Sequence, residues 1–273
     1  MTLAPIGVFD SGIGGLSVWR EIVRQLPAES TLYFADQAHI PYGPRPLAEV
    51  QDFARAITRF LLEQGAKLIV VACNTASGAA LYALRESFPE VAFVGMEPAV
   101  KPAAEQTRTG NVGIIATPAT FQGELFRRLA QRFAADVQLH TQTCPGLVAA
   151  VETGALDTPE TRTLLHRYLE PLLAQDIDEL VLGCTHYPFL RPAIEEIVGP
   201  AVTIIDPAPA VARQVGRILA RQRTLAPPTA RAAHRFYTSG DPARLTQQAR
   251  ELVGYQGESF QARWQGGELT LIN

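Results

Sequence analysis

Three cysteines, Cys73, Cys144 and Cys184, stand far apart in a chain of 273 residues. An odd, scattered set of this kind is no disulfide framework. It fits a reducing cytoplasm, where each thiol stays available for chemistry. Two of the three share a setting. Leu68-Ile69-Val70-Val71-Ala72 leads into Cys73-Asn74-Thr75, and Glu179-Leu180-Val181-Leu182-Gly183 leads into Cys184-Thr185-His186. Each cysteine therefore ends an apolar run that reads as a buried strand and precedes a helical stretch. The free amides at a helix N-terminus favour a thiolate. A buried cysteine without such neighbours is ordinarily a small core hydrophobe, and Cys144, followed by Pro145, is read that way.

Two thiols in matching half-sites suit one task in particular. Inverting a stereocentre by proton transfer needs a base on one face of the carbon and an acid on the other. A free thiol has a pKa of about 8.5, so thiol and thiolate coexist near neutrality, where general acid–base groups work best. Other polar residues also fall where strands end. Asp10 and Ser11 open the turn Asp10-Ser11-Gly12-Ile13-Gly14-Gly15. That turn reads either as a tight bend or as an anion-binding loop, but it lacks the G-x-G-x-x-G spacing and the lysine of the phosphate-binding motifs. Asp10 could instead meet a substrate ammonium or orient a thiol. Thr117 and Thr120 follow another strand-like run, and His186 lies two residues from a thiol. Pro41-Tyr42-Gly43 reads as a turn. Glu152, taken alone, reads as an ordinary solvated carboxylate.

Short β-branched runs alternate with amphipathic stretches throughout, which predicts an α/β fold with mainly parallel sheets flanked by helices. Strands are expected at Ile6–Phe9, Thr31–Ala35, Leu68–Ala72, Val91–Val94, Asn111–Ala116, Val137–His140, Leu180–Gly183, Val202–Ile205, His234–Thr238 and Glu268–Ile272. Helices are expected at Pro46–Gln64, Thr75–Phe88, Pro118–Ala134, Pro159–Gln175, Pro188–Val198, Ala208–Arg221 and Pro242–Leu252. In the first of these, Leu47, Val50, Phe53, Ile57, Phe60 and Leu61 fall on one face at spacings of three and four. Arg223–Ala230, with Pro227 and Pro228, reads as a linker or long loop. The pattern also restarts. Ile6-Gly7-Val8-Phe9-Asp10-Ser11 aligns with Val112-Gly113-Ile114-Ile115-Ala116-Thr117, and the run before Cys73 aligns with the run before Cys184. This points to an internal duplication.

Bulk properties narrow the function classes. Apolar residues make up 47%, charged residues 19%, and the formal net charge is −3. No basic field is present to favour nucleic acid or an anionic membrane. No segment reaches the roughly 18 apolar residues of a membrane span. Met1 to Gly7 shows neither the charged region nor the apolar run of a signal peptide. A zinc site would show close Cys or His pairs, which Cys73, Cys184 and His186 do not form in sequence. A dinucleotide module built on the Gly-rich turn fails the spacing rule.

Four segments together resemble a known family. Asp10-Ser11-Gly12-Ile13-Gly14-Gly15-Leu16, Pro41-Tyr42-Gly43, Ala72-Cys73-Asn74-Thr75-Ala76 and Leu182-Gly183-Cys184-Thr185-His186-Tyr187-Pro188 resemble the bacterial glutamate racemases of the aspartate/glutamate racemase superfamily. The resemblance runs to about Asp206-Pro207, and the tail beyond about Arg223 matches less clearly. It implies interconversion of L- and D-glutamate without pyridoxal phosphate, other cofactor or metal, supplying D-glutamate to peptidoglycan. It implies that Cys73 and Cys184 are the acid/base thiols, with Asp10 auxiliary to Cys73, and His186 and Glu152 auxiliary to Cys184. It implies substrate contacts from Asp10, Ser11, Pro41, Tyr42, Gly43, Asn74, Thr75, Thr117, Thr120, Thr185 and His186. It further implies a cytoplasmic homodimer of two similar, pseudo-twofold related α/β domains, residues 1–97 with 208–273 and residues 98–207, with the active site at their interface. A racemase for aspartate or a related amino acid would use the same thiol pair and differ only in the pocket for the distal carboxylate.

A thiol-only mechanism is indifferent to chelation. Glutamate racemisation should therefore be unchanged after treatment with EDTA, and activity lost to the chelator and restored by a divalent metal would contradict the thiol-only mechanism.

Overall fold

The computed structural model describes residues 2–134 and 136–272. The chain opens with β1 (Ile6–Asp10), α1 (Leu16–Gln25), β2 (Thr31–Ala35), α2 (Leu47–Glu63), β3 (Leu68–Val71), α3 (Asn74–Ser87) and β4 (Phe93–Gly95). It continues with α4 (Val100–Gln106), β5 (Asn111–Ala116), α5 (Pro118–Gln122), α6 (Glu124–Phe133), β6 (Gln138–Thr143), α7 (Leu147–Glu152), α8 (Pro159–Leu173) and β7 (Glu179–Gly183). A 3₁₀ turn at Tyr187–Leu190 then leads into α9 (Arg191–Val198) and β8 (Thr203–Ile205). The last stretch is α10 (Ala208–Gln222), β9 (His234–Thr238), α11 (Pro242–Val253), β10 (Ser259–Gln265) and β11 (Glu268–Leu271). These elements form two compact units, one of residues up to Met96 together with those from Ala208 onward, the other Glu97–Pro207.

The first unit holds a seven-stranded sheet in the order β11-β10-β9-β2-β1-β3-β4. Every described pairing in it is parallel except the β10–β11 hairpin. β1, β2 and β3 are buried along their whole length, as central strands covered on both faces must be. Phe9, Phe34 and Val71 pack with Ile57 and Leu61 of α2 and Leu84 of α3. α1 packs against α10 and α11, and Trp19 meets the rings of Phe236 and Tyr255 edge-on.

The second unit holds a four-stranded parallel sheet in the order β6-β5-β7-β8. This repeats the order β2-β1-β3-β4 of the first unit, with the same strand–helix–strand succession. The register repeats as well. Gly7 pairs with Ile69 and Gly113 with Leu180, which puts Cys73 and Cys184 at the same step beyond their strands. A shared packing constraint accompanies the repeat. A β-carbon on Gly7 would come within 2.8 Å of Ile69 Cδ1, and one on Gly113 within 3.2 Å of Leu180 Cδ1 and 2.6 Å of Ile177 Cδ1. In both sheets the neighbouring strand's side chain fills the space that glycine leaves. Val112, Ile114 and Val181 pack with Val100 and Ala103 of α4.

Several expected boundaries change for identifiable reasons. The single helix expected over Pro118–Ala134 is two helices, because Gly123 takes an extended conformation (φ −66°, ψ 144°) between them, and glycine loses the most entropy in a helix. β6 runs on to Thr143, three residues past its expected end; as an edge strand it carries polar residues that mask its pattern. The helix expected from Pro188 begins as a 3₁₀ turn, with α9 starting at Arg191. Leu47, read as part of the buried face of α2, lies in the first turn and is exposed. The short helices α4 and α7 have too few periodic apolar positions to be read from sequence, whereas β10, which alternates Phe260, Ala262 and Trp264 with polar residues, carries a strand signal and is absent from the expected strands.

Arg223–Ala230 is a pinned loop instead of a slack linker. Lys67 Nζ pairs with Glu29 Oε2 at 2.6 Å, both side chains being more than nine-tenths buried. Nζ also donates to Thr224 O at 2.7 Å, and the Ala226 N–H donates to Glu29 Oε1 at 2.7 Å. Removing one partner of a buried ion pair leaves the other uncompensated. Glu29→Ala should therefore cost about 3 kcal/mol of stability, read as a lower urea midpoint; a midpoint equal to the parent's would show that the loop is held by other contacts.

Candidate active site

In a parallel sheet the carboxyl ends of the strands lie along one edge, and ligands of α/β proteins gather there. In the first unit, Asp10 closes β1, Asp36 follows β2, Cys73 follows β3 and Ser239 follows β9. Cys73 is the N-cap of α3, and its Sγ accepts from the Ala76 N–H at 3.4 Å. Its Sγ lies 3.9 Å from Ser11 Oγ. Asp10 is fully buried, and its Oδ2 accepts from the Gly12 N–H at 3.0 Å. The Tyr33 hydroxyl donates to Gly12 O at 2.7 Å, which fixes the same turn from below. Gly15, where α1 begins, is required by this closeness: a β-carbon there would lie 2.7 Å from Asp10 Cβ.

Asn74 and Thr75 are buried beside the thiol. Neither the Asn74 amide nitrogen nor its oxygen has a hydrogen-bond partner among the described residues. Burying an unpaired amide is costly.

Pro41, Tyr42 and Gly43 lie on the loop between β2 and α2. Pro41 is exposed, Gly43 half-buried and Tyr42 buried. Burial pushes the Tyr42 hydroxyl well above its ordinary pKa, and the charges of Asp36, Cys73 and Asp10 push the same way. It therefore remains a proton donor, and it donates to Asp36 Oδ2 at 2.6 Å.

In the second unit, three side chains form a relay. His186 Nδ1 lies 3.8 Å from Cys184 Sγ, and His186 Nε2 lies 2.8 Å from Glu152 Oε1. Both His186 and Glu152 are buried, so Glu152 is no solvated carboxylate. Burial alone would depress the imidazole pKa, but the bonds to Cys184 and Glu152 outweigh it and hold the ring well above its usual value. Thr185 is buried beside the thiol. Thr117, just past β5, shares a hydrogen bond of 3.0 Å with Thr120 across the first turn of α5.

Some neighbours were not legible in the sequence. Cys144, read as structural, follows the true end of β6. Burial and the nearby Cys184 both raise its thiol pKa. The buried Tyr187 hydroxyl faces Cys144 and has no nitrogen or oxygen partner among the described residues. Asp36 and its partner His39 were also missed. For Asp36 the signal existed, since it stands directly after the expected strand Thr31–Ala35; for Cys144 it did not, because the expected strand ends at His140 and β6 runs on to Thr143. Among the described residues no three His, Cys, Asp or Glu side chains group as a metal site would require, and no helix is long and apolar enough to cross a membrane.

Comparison with known proteins gives a consistent picture. The model of the Asp/Glu/Hydantoin racemase family matches residues 6–215. A glutamate racemase of Ectopseudomonas mendocina is 51% identical over 255 residues, covering 93% of this chain and 97% of that protein. The crystal structure of a glutamate racemase isoform of Bacillus anthracis superposes with a TM-score of 0.86 at 36% identity, covering 97% of this chain and 98% of that one. That of Escherichia coli glutamate racemase, in complex with L-glutamate and an activator, has a TM-score of 0.83 at 32% identity, covering 99% and 100%.

The relay geometry makes a direct expectation about His186. In Glu152→Gln the ring loses its carboxylate partner, so its pKa should fall toward the ordinary imidazole value. Titration of the histidine side-chain NMR signals reads this, and a value unchanged from the parent would mean that Glu152 does not hold the proton on the ring.

Proposed function

Because the chain belongs to the Asp/Glu/Hydantoin racemase family, we propose that it interconverts L- and D-glutamate, with Cys73 and Cys184 serving opposite faces of the substrate's α-carbon. The observation that carries this reading is the pair of thiols at register-equivalent positions, each just past a buried parallel strand. Relatives named glutamate racemase at about half sequence identity support glutamate over other amino acids.

One sulfur, as thiolate, removes the α-proton. The carbanion that forms is planar at the α-carbon. The other sulfur, as thiol, delivers its own proton to the opposite face. Each turnover thus leaves the thiol and thiolate exchanged. Asp10 serves as the auxiliary carboxylate on the Cys73 side. On the Cys184 side the relay of His186 and Glu152 gives the sulfur a group with which to exchange a proton. The polar groups around each thiol fit a small zwitterion. Asn74, with its unpartnered amide, and Thr75, Ser11 and the Pro41-Tyr42-Gly43 loop would hold it beside Cys73. Thr185, Thr117 and Thr120 would do so beside Cys184. The same reading has the enzyme act in the cytoplasm as a homodimer, with its D-glutamate entering peptidoglycan.

The test is racemisation in deuterated water, started from each enantiomer. Parent protein should racemise glutamate and incorporate deuterium at the α-carbon. Cys73→Ser and Cys184→Ser should each lower racemisation by about 10²–10⁴-fold, the usual contribution of a general acid or base. Either variant turning over at the parental rate would remove that thiol from the mechanism, and a parent that prefers aspartate would reassign the substrate.

A further inference from the structure

Asp36 is fully buried, yet no step of the proposed reaction uses it. Its two oxygens collect four donors from three separate parts of the first unit. Tyr42 Oη donates to Oδ2 at 2.6 Å, and His39 Nδ1 lies 2.9 Å from the same oxygen. Ser239 Oγ, just past β9, donates to Oδ1 at 2.6 Å. Trp264 Nε1, on β10, donates to Oδ1 at 2.9 Å. The backbone completes the arrangement: the Asp36 N–H donates to Asp10 O at 3.0 Å. One side of Asp36 is thus tied to the end of the strand that carries Asp10. The other is tied to the β2–α2 loop and to the C-terminal strands.

The packing around the loop follows the same plan. The His39 ring stacks on Phe53 of α2 at 3.9 Å, and the Trp264 ring meets His39 edge-on at 5.0 Å. Arg45 Nε donates back to His39 O at 2.6 Å. The loop is therefore held at its middle by a buried carboxylate in addition to its own hydrogen bonds. The Tyr42 hydroxyl is committed to Asp36, so contacts from this segment to a substrate fall to its backbone and to Gly43.

We propose that Asp36 is a positioning residue, which locks the Tyr42–Gly43 loop into its substrate-holding form by clamping it to Ser239 and to Trp264 of the C-terminal hairpin. This rests on the racemase reading above. Asp36 makes no hydrogen bond to Cys73 and acts only through the loop. A loop that binds the substrate equally in its ground and transition states affects KM more than kcat. A loop that is correctly placed for only a fraction of the time weakens apparent affinity by that fraction.

The experiment compares steady-state racemisation by the parent, Asp36→Asn, Ser239→Ala, Trp264→Phe and Tyr42→Phe, in both directions. Asp36→Asn and Tyr42→Phe should raise KM for glutamate by about tenfold, the equivalent of one charge-assisted hydrogen bond, with kcat within about threefold. Ser239→Ala and Trp264→Phe each remove one of the four donors and should raise KM by a smaller factor, again with kcat held. They carry the test if Asp36→Asn does not fold. KM values equal to the parent's in the folded variants, or a loss confined to kcat, overturn the positioning role while leaving the racemase reading intact. A parent that does not racemise glutamate overturns both.

Discussion

Parallel strands end along one edge of their sheet, so residues far apart in sequence are brought together simply by standing one or two positions past a strand. Most of the site chemistry here depends on that constraint. Asp10 is the last residue of β1, and Asp36, Cys73 and Ser239 occupy such positions in the seven-stranded sheet. Thr117, Cys144 and Cys184 occupy them in the four-stranded one. The cysteines gain a second feature, because the chain turns directly from strand into helix or 3₁₀ turn after each. Cys73 shows the result: the sulfur itself caps α3 and takes a backbone N–H that would otherwise lack a partner.

The buried charges show how the fold makes this tolerable. An ionised group removed from water must be paired or hydrogen-bonded. Asp36 meets four side-chain donors. Glu29 meets a lysine and a backbone amide. Glu152 meets His186. Burial alone would raise the Asp178 carboxyl, but Thr107, Thr109 and two backbone amides outweigh it and bring it down to about 2. Against this background the Asn74 amide, directly after Cys73, and the Tyr187 hydroxyl, three residues past Cys184, are buried without a nitrogen or oxygen partner among the described residues.

The repeat of strand order and register explains how one chain comes to hold two such thiols. Gly7 and Gly113 share both their position and their constraint, since each leaves room for the register partner on the next strand. The surroundings of the thiols then diverge. Asp10 in the first unit corresponds to Ala116 in the second, and Thr75 corresponds to His186. The carboxylate beside Cys73 comes from the neighbouring strand, whereas the imidazole beside Cys184 comes from its own segment and its carboxylate from α7. Similar scaffolds thus surround equivalent sulfurs with different ionisable groups.

The sequence by itself determined the α/β class, the central strands and the two cysteines, because these rest on local signals: short apolar runs, helical spacing and the residue that follows a run. It also carried the family resemblance in its Gly-rich turn and its two cysteine segments. Tertiary structure decided what joins residues distant along the chain. Glu152 became the partner of a histidine 34 positions away, and Trp264 became the partner of an aspartate 228 positions away. It also converted an apparent linker into a loop fixed by Glu29 and Lys67. No local pattern encodes such pairs, because each arises only when the sheet order sets two remote segments side by side and burial then obliges their polar groups to meet.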